Sequence, residues 1–141
     1  MIVLIGFPEL ERSLVNKPFT EIEINGRGRF YDDMETMRAS FGGASHRARF
    51  PRVIVQNLDV AHATWTGALR DLKAAENWRS IPVIGFGFLE DRGDVTTFYS
   101  LGGASCIRKP DTYAELVGIV KTAMQYWLNV SILPNRFLCP A

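Results

Sequence analysis

A short run of β-branched residues, Val53-Ile54-Val55, constrains the fold of this chain more than any other feature. Pro51 precedes the run, and the polar residues Gln56 and Asn57 follow it. An apolar run without alternation is typical of a strand that is buried on both faces of a parallel sheet. Ligands bind at the carboxyl ends of the strands in such sheets. Asn57, where this strand ends, is therefore the first candidate site residue.

The rest of the chain alternates between strand-like and helix-like segments. Strands are predicted at Ile2–Ile5, Thr20–Ile24, Val53–Asn57, Ile81–Phe86 and Ser105–Arg108. Helices are predicted from Pro8 to about Val15 and over Phe30–Phe41, Thr66–Glu76, Asp91–Leu101 and Thr112–Leu128. In the second and the fifth, apolar residues recur at three- and four-residue intervals. Gly102-Gly103 is predicted to end the fourth helix, and Thr112 with Glu115 to cap the fifth.

This alternation predicts an α/β fold, a doubly wound parallel sheet with helices on both faces. Right-handed crossovers leave few topologies, and we expect the flavodoxin-like (βα)5 arrangement with strand order 2-1-3-4-5. The 141 residues suffice for one domain, which we place at residues 1–129, with a C-terminal tail at 130–141.

Composition excludes several classes of function. The formal net charge is only +1, so we expect neither nucleic acid nor a membrane surface as the main partner. No apolar run reaches membrane-spanning length. Cys106 and Cys139 do not make a disulfide framework, and we expect both to be reduced in a cytoplasmic protein.

From residue 51 to Asn129 the chain resembles the CheY-like receiver domain of bacterial response regulators. The stretches that carry the resemblance are Pro51–Asn57, Leu72-Lys73 with Arg79–Ile84, Leu101-Gly102, Ile107–Pro110, and Tyr126–Leu128 with Leu133-Pro134. The last of these is similar to the end of short, stand-alone receivers. Before residue 51 the resemblance is looser.

The resemblance implies a function for several positions. In the family, an aspartate at the position of Asn57 accepts a phosphoryl group from a histidine kinase. The family's two Mg²⁺-binding acids correspond to Gly6 and Phe7, its Ser or Thr switch residue to Gly87, and its switch aromatic to Cys106. The family's lysine before proline is retained, as Lys109-Pro110.

The chemistry of these residues argues against phosphoryl transfer. An amide such as Asn57 cannot form an acyl phosphate. Mg²⁺ needs oxygen ligands, but Gly6 and Phe7 offer no side-chain oxygen, and Gly87 has no hydroxyl. We therefore expect a pseudo-receiver that is not an enzyme and has no cofactor and no metal. It would act in two-component phosphorelay signalling through protein–protein interaction.

Two alternatives stay open. Asp59, two residues beyond the strand, could be a displaced phospho-acceptor with an unusual metal shell. Glu9 could supply a metal carboxylate if the first loop is rearranged, but we favour a solvated helix residue there. Alternatively, a small anion could bind in the crevice between Lys109 and Asn57. We favour a plainer interpretation, in which Lys109 has lost its carboxylate partners and bonds to Asn57 or to a backbone carbonyl.

Other polar groups have simpler interpretations. His46 and His62 lack ligand-like spacing with either cysteine, so no zinc site is predicted. Glu90, Asp91 and Asp94 are interpreted as favourable charges at a helix N-terminus.

The partners that the resemblance implies are a histidine kinase, a sensor or a downstream output protein, or a second copy of the chain. We expect contact through the face of the fourth helix, fifth strand and fifth helix, or through the tail. The tail carries the apolar residues Ile132, Leu133, Phe137 and Leu138. Because these are costly to leave in water, the tail is expected to fold back on the domain or to lie against another chain.

Overall fold

The computed structural model describes residues 2–21, 28–41, 50–90 and 92–134. Its strands are β1 (Ile2–Ile5), β2 (Gly28–Tyr31), β3 (Val53–Asn57), β4 (Val83–Gly87) and β5 (Ser105–Arg108). Its helices are α1 (Glu9–Glu21), α2 (Met34–Ser40), α3 (His62–Ala74), α4 (Arg92–Ser100) and α5 (Tyr113–Gln125), and a π-helical turn, Tyr126–Val130, extends α5.

The five strands form one parallel sheet in the order β2-β1-β3-β4-β5, which confirms the predicted flavodoxin-like topology. The central strand, β3, is buried at every residue, as its unbroken apolar run predicted. In register, Asn57 of β3 pairs with Phe86 of β4. The polar end of β3 therefore lies between neighbours at the carboxyl edge of the sheet.

Two hydrophobic clusters cover the two faces of the sheet. On one face, α2, α3 and α4 contribute Met37, Trp65, Leu69 and Phe98. On the other, α1 and α5 contribute Val15, Leu116, Val120 and Met124. Successive strand residues point to opposite faces, so Ile54 joins the first cluster while Val53 and Val55 join the second.

The sequence prediction of the second strand is wrong. Thr20 and Glu21 belong to α1, the remainder of Thr20–Ile24 lies outside the described residues, and β2 is Gly28–Tyr31. Alternation over five residues is too short to separate a strand from a helix end. The error carried over to Phe30, which was assigned to the second helix but lies in β2 and packs on the α1–α5 side.

Capping explains where two of the helices begin. Asp33 caps α2 by accepting a hydrogen bond from the Thr36 amide at 2.7 Å, and this bond lowers the pKa of the Asp33 carboxyl. Thr112 caps α5 by accepting from the Glu115 amide at 3.3 Å, as predicted. By contrast, α3 begins at His62 without a side-chain cap, so its start, predicted at Thr66, had no signal in the sequence.

The end of α4 depends on glycine, as predicted. Gly102 has φ +104°, a left-handed conformation that favours glycine, and its amide donates to the Tyr99 carbonyl at 3.1 Å. The amide of Gly103 donates to the Phe98 carbonyl at 2.9 Å. A Cβ atom at Gly103 would lie 2.1 Å from the Phe98 ring, so a side chain there would displace a buried core residue.

The tail is described only as far as Pro134. Leu133 is half-buried and packs against the α1–α5 cluster, as the fold-back interpretation predicted. Ile132, one residue earlier, is 97% exposed and does not follow that expectation within this chain. Phe137 and Leu138 lie outside the described residues.

Candidate functional site

The polar site lies at the carboxyl edge of the sheet, where the ends of three strands meet. Asn57 ends β3, Gly6 directly follows β1, and Lys109 directly follows β5. Gly6 has φ +78°, and its amide donates to the Tyr31 carbonyl at 2.9 Å, which turns the chain from β1 towards α1. This turn brings the carbonyl oxygen of Gly6 to the end of β3.

Asn57 uses both ends of its amide. Its Nδ2 atom donates to the Gly6 carbonyl oxygen at 2.8 Å. Its Oδ1 atom accepts from the Lys109 ammonium at 2.9 Å and from the Asp59 backbone amide at 3.2 Å. Because the Asn57 side chain has an acceptor on one side and two donors on the other, its orientation is fixed by its partners. Asn57 is only 2% exposed.

The ammonium group of Lys109 is buried and has three oxygen partners. Besides Asn57, its Nζ atom lies 2.8 Å from Glu11 Oε1 and 2.8 Å from Asp59 Oδ2. The predicted bond between Lys109 and Asn57 is confirmed, but the prediction that Lys109 lacks carboxylate partners is wrong. A buried charge is costly unless it is paired, and here two carboxylates from different segments pair with it.

Aromatic rings flank the ammonium of Lys109. Its Nζ atom lies 5.4 Å from the centroid of the Phe7 ring and 5.6 Å from that of Phe88, within the range of cation–π attraction. The Phe88 backbone amide donates to Asp59 Oδ1 at 2.9 Å. Asp59 thus uses one oxygen for the β4–α4 loop and the other for Lys109.

Gly87, the last residue of β4, has little room for a side chain. A Cβ atom there would lie 3.0 Å from Asp59 Oδ1 and 3.3 Å from both Leu58 and Leu89. Leu89 itself has φ +55°, which is unusual for a residue other than glycine. A serine or threonine at Gly87 would therefore need its neighbours to move.

Cys106, in β5, is half-buried, and its backbone amide donates to the Tyr99 hydroxyl at 3.0 Å. Burial, together with the charge of Asp94, raises the pKa of the Cys106 thiol to about 11. The thiol is therefore protonated at neutral pH. It lies on the β5 edge and does not join the Asn57–Lys109 network among the bonds described.

The remaining candidates do not join this network. His62 Nδ1 lies 2.8 Å from Asp94 Oδ1, so Asp94 contacts the first turn of α3 from α4. Glu9 is exposed, whereas Glu11 contacts Lys109. Pro110 is partly buried beside Lys109, and His46, Asp91 and Cys139 lie outside the described residues. Within the described ranges, no group of three or more His, Cys, Asp or Glu side chains is placed to hold a metal ion.

Several of the solved structures that resemble this chain are response regulators. They include a phosphorylated cyanobacterial phytochrome response regulator, RcpA (TM-score 0.83, 20% identity, covering 95% of this chain and 97% of that one). The Mn²⁺-bound form of the response regulator Rcp1 also matches, with a TM-score of 0.82 and 20% identity over 95% of this chain and 98% of that one. This chain has the fold of a response-regulator receiver domain. A response regulator in red light signaling of R. palustris has the same fold, with a TM-score of 0.78 and 23% identity over 95% of this chain and 98% of that one.

These likenesses establish the receiver fold at low sequence identity. No protein-family model matches the sequence, and the search of curated proteins found no match. None of the helices in the described parts of the chain is long and apolar enough to cross a membrane.

The side chains at this site do not fit the Mg²⁺ that the receiver fold implies. Gly6 and Phe7 have no side-chain oxygen, and Phe7 is a buried core residue. The amide oxygen of Asn57 already accepts two hydrogen bonds. Nearby carboxylates do exist, on Glu11 and Asp59, but they surround the ammonium of Lys109. A positive charge therefore already occupies the space among the available oxygens.

Sequence reasoning missed Glu11 and Phe88 and underestimated Asp59. One signal was available: a lysine at the buried carboxyl edge of a parallel sheet needs carboxylate partners. Glu11 lies in the first turn of the helix that follows β1, and Asp59 lies just after β3, so both belong to that edge. The sequence identified the residues at the strand ends but not the side chains that reach them from α1 and the loops.

Proposed function

We propose that this protein is a pseudo-receiver, a signalling domain of the two-component type that works in the cytoplasm through protein–protein contact, without phosphorylation. The observation that carries the proposal is the bonding of Asn57. Asn57, at the acceptor position, donates a hydrogen bond to Gly6 O and accepts one from Lys109. A carboxylate could accept from Lys109 but could not donate to Gly6 O, so the position is suited to an amide.

The surroundings of Asn57 support the same conclusion. Lys109, which in the family reads out a phosphoryl group, is bonded to Asn57, Glu11 and Asp59. Gly87 offers no hydroxyl, and Asp59 Oδ1 approaches the position of any Cβ there. Of the two groups that would bind a phosphoryl group, the hydroxyl is therefore absent and the ammonium of Lys109 is already paired.

The two alternatives receive less support from these contacts. In Asp59, one oxygen accepts from Phe88 N and the other contacts Lys109, so attack on a phosphodonor would require both contacts to break. An anion at Lys109 would have to displace a carboxylate from an ammonium whose side chain is only 3% exposed. Each alternative would therefore require hydrogen bonds or ion pairs of the present structure to break.

The output surface that we propose is the face of α4, β5 and α5, with the tail beside it. Tyr99 is 48% exposed and Tyr113 is 53% exposed, so aromatic side chains are available for contact with a protein. A histidine kinase, a sensor, an output protein or a second copy of this chain would bind there. Because nothing in this scheme is switched by a phosphoryl group, binding should not depend on a phosphodonor.

Intact-mass spectrometry after incubation with acetyl phosphate and Mg²⁺ tests the proposal. The wild-type protein should gain no mass. Asp59→Asn serves as the matched variant because it removes the nearest alternative acceptor. A gain of one phosphoryl group in the wild type that Asp59→Asn abolishes would overturn the proposal in favour of the displaced acceptor.

A further inference from the structure

Three oxygen atoms from two stretches of the chain surround one point at the carboxyl edge of the sheet. Glu11 Oε1 comes from α1, Asn57 Oδ1 from the end of β3, and Asp59 Oδ2 from the loop after β3. All three lie within 2.9 Å of the Lys109 Nζ atom. We call these three oxygens the oxygen cage.

We propose that the oxygen cage is a cation site that the ammonium group of Lys109 occupies. The native protein therefore does not bind divalent metal ions there. The ligand class that the cage takes without the lysine is a hard divalent cation such as Mn²⁺. This inference rests on the proposed function, because a receiver that accepts no phosphoryl group has no need for a metal.

The charges support this assignment. Glu11 and Asp59 contribute two negative charges, Asn57 contributes a neutral oxygen, and Lys109 returns one positive charge. Removing the ammonium leaves two carboxylates facing each other with an amide oxygen beside them, and a doubly charged ion neutralises them. Carboxylate and amide oxygens, completed by water, are the ligands that Mg²⁺, Ca²⁺ and Mn²⁺ prefer.

The cage is built into the fold and its parts can adjust. The amide of Asn57 is held from its far side by Gly6 O, and its side chain is buried. Glu11 and Asp59 are 14% and 29% exposed at their side chains, so they can move towards a smaller ion and admit water as further ligands. Removing the lysine side chain also opens space near the Phe7 and Phe88 rings.

The direct test is titration of Mn²⁺ followed by electron paramagnetic resonance. Lys109→Ala should bind one equivalent of Mn²⁺ at least tenfold more tightly than the wild type. Lys121→Ala makes the same change of charge on α5, outside the cage, and should bind like the wild type. The double variant Lys109→Ala/Glu11→Gln should lose the gained affinity, because one of the two carboxylates is neutralised.

Two results would overturn the inference: equal Mn²⁺ binding by Lys109→Ala and Lys121→Ala, or tight binding by the wild type. Lys109→Met, which keeps an apolar stem, replaces Lys109→Ala if the latter does not fold. The wild type provides a test that needs no substitution at all. Added Mn²⁺ should leave the Asn57 side-chain amide signal in an NMR spectrum unbroadened, and selective broadening would contradict the proposal.

Failure of this inference can be told apart from failure of the proposed function. Phosphoryl mass on the wild type would reject the proposed function whatever Lys109→Ala binds. Absence of metal binding by the lysine variants would reject the cage while leaving the unphosphorylated receiver intact.

Discussion

The Asn57 side chain donates a hydrogen bond from Nδ2 to the Gly6 carbonyl oxygen at 2.8 Å, which ties the end of β3 to the turn after β1. A carboxylate at the same position has no proton to donate. It would place two oxygen atoms 2.8 Å apart in a buried environment. The site is therefore built around an amide, and an aspartate at position 57 would lose the hydrogen bond to Gly6.

Asn57→Asp should lower the free energy of unfolding by about 1–3 kcal/mol, the range expected when a buried hydrogen-bonded group loses its partner. Urea denaturation at neutral pH measures the change. Asn129→Asp makes the same chemical substitution at an exposed position and should stay within about 0.5 kcal/mol of the wild type. Equal stabilities of the two variants would show that the Gly6 contact contributes little.

Glu11→Ala should lower the free energy of unfolding by about 2 kcal/mol, because it removes one of the two carboxylates that pair with the buried Lys109. The matched control is Glu9→Ala, an exposed acid in the same helical turn, which should cost only a few tenths of a kcal/mol. Both values come from urea denaturation. The role assigned to Glu11 fails if the two substitutions cost the same.

The sequence predicted the sheet well because its strongest signals are local. The run Val53–Val55 is typical of a buried strand, and Thr112 with Glu115 marked the start of α5. Even Asn57 and Lys109 were placed correctly, since each lies where a strand ends. The prediction of the second strand was wrong because the alternation in Thr20–Ile24 is too short to separate a strand from the end of a helix.

The site was less predictable because its charges meet through tertiary structure. Glu11 and Lys109 are almost a hundred positions apart, and their contact depends on how α1 lies against the sheet. Nothing local distinguishes Glu11 from Glu9. The constraint that was available is physical: a lysine that is 4% exposed requires negative partners, and the candidates at that edge were few.

Cys106 should react slowly with iodoacetamide, because only the thiolate is a nucleophile and its pKa is about 11 against an ordinary 9.0. In a Cys139→Ser background at pH 8, the folded protein should react roughly a hundredfold more slowly than the urea-unfolded protein. The reaction is followed by mass spectrometry. Equal rates in the folded and unfolded states would show that Cys106 is not shielded.

The same shift predicts how stability depends on pH. The folded-state pKa is raised, so the protonated thiol's contribution to stability is complete below the unfolded value of 9.0. It is lost as the pH rises through about 11. Cys106→Ala should therefore reduce the fall in melting temperature between pH 8.5 and pH 11 relative to the wild type.

Leu133→Ala should lower the free energy of unfolding by about 1 kcal/mol, less than full burial would contribute because the residue is only half-buried. Its neighbour supplies the control: Ile132→Ala, at a residue that is 97% exposed, should have no measurable effect in the monomer. A melting temperature of Ile132→Ala that falls, and does so more at high protein concentration, would instead place the tail against a second copy.

The central claim is that the whole site, and not only position 57, is unsuited to phosphoryl transfer. Phosphoryl incorporation by Asn57→Asp tests this claim most directly, because that variant supplies an acceptor carboxylate and changes nothing else. With acetyl phosphate and Mg²⁺, intact-mass spectrometry should show no stable phosphoryl group on folded Asn57→Asp. Gly6 and Phe7 still lack side-chain oxygens that could bind a metal, Gly87 still lacks a hydroxyl, and Lys109 still pairs with Glu11 and Asp59. A Mg²⁺-dependent gain of one phosphoryl group in most of the protein would contradict the account, since it would mean that the site lacks only its aspartate.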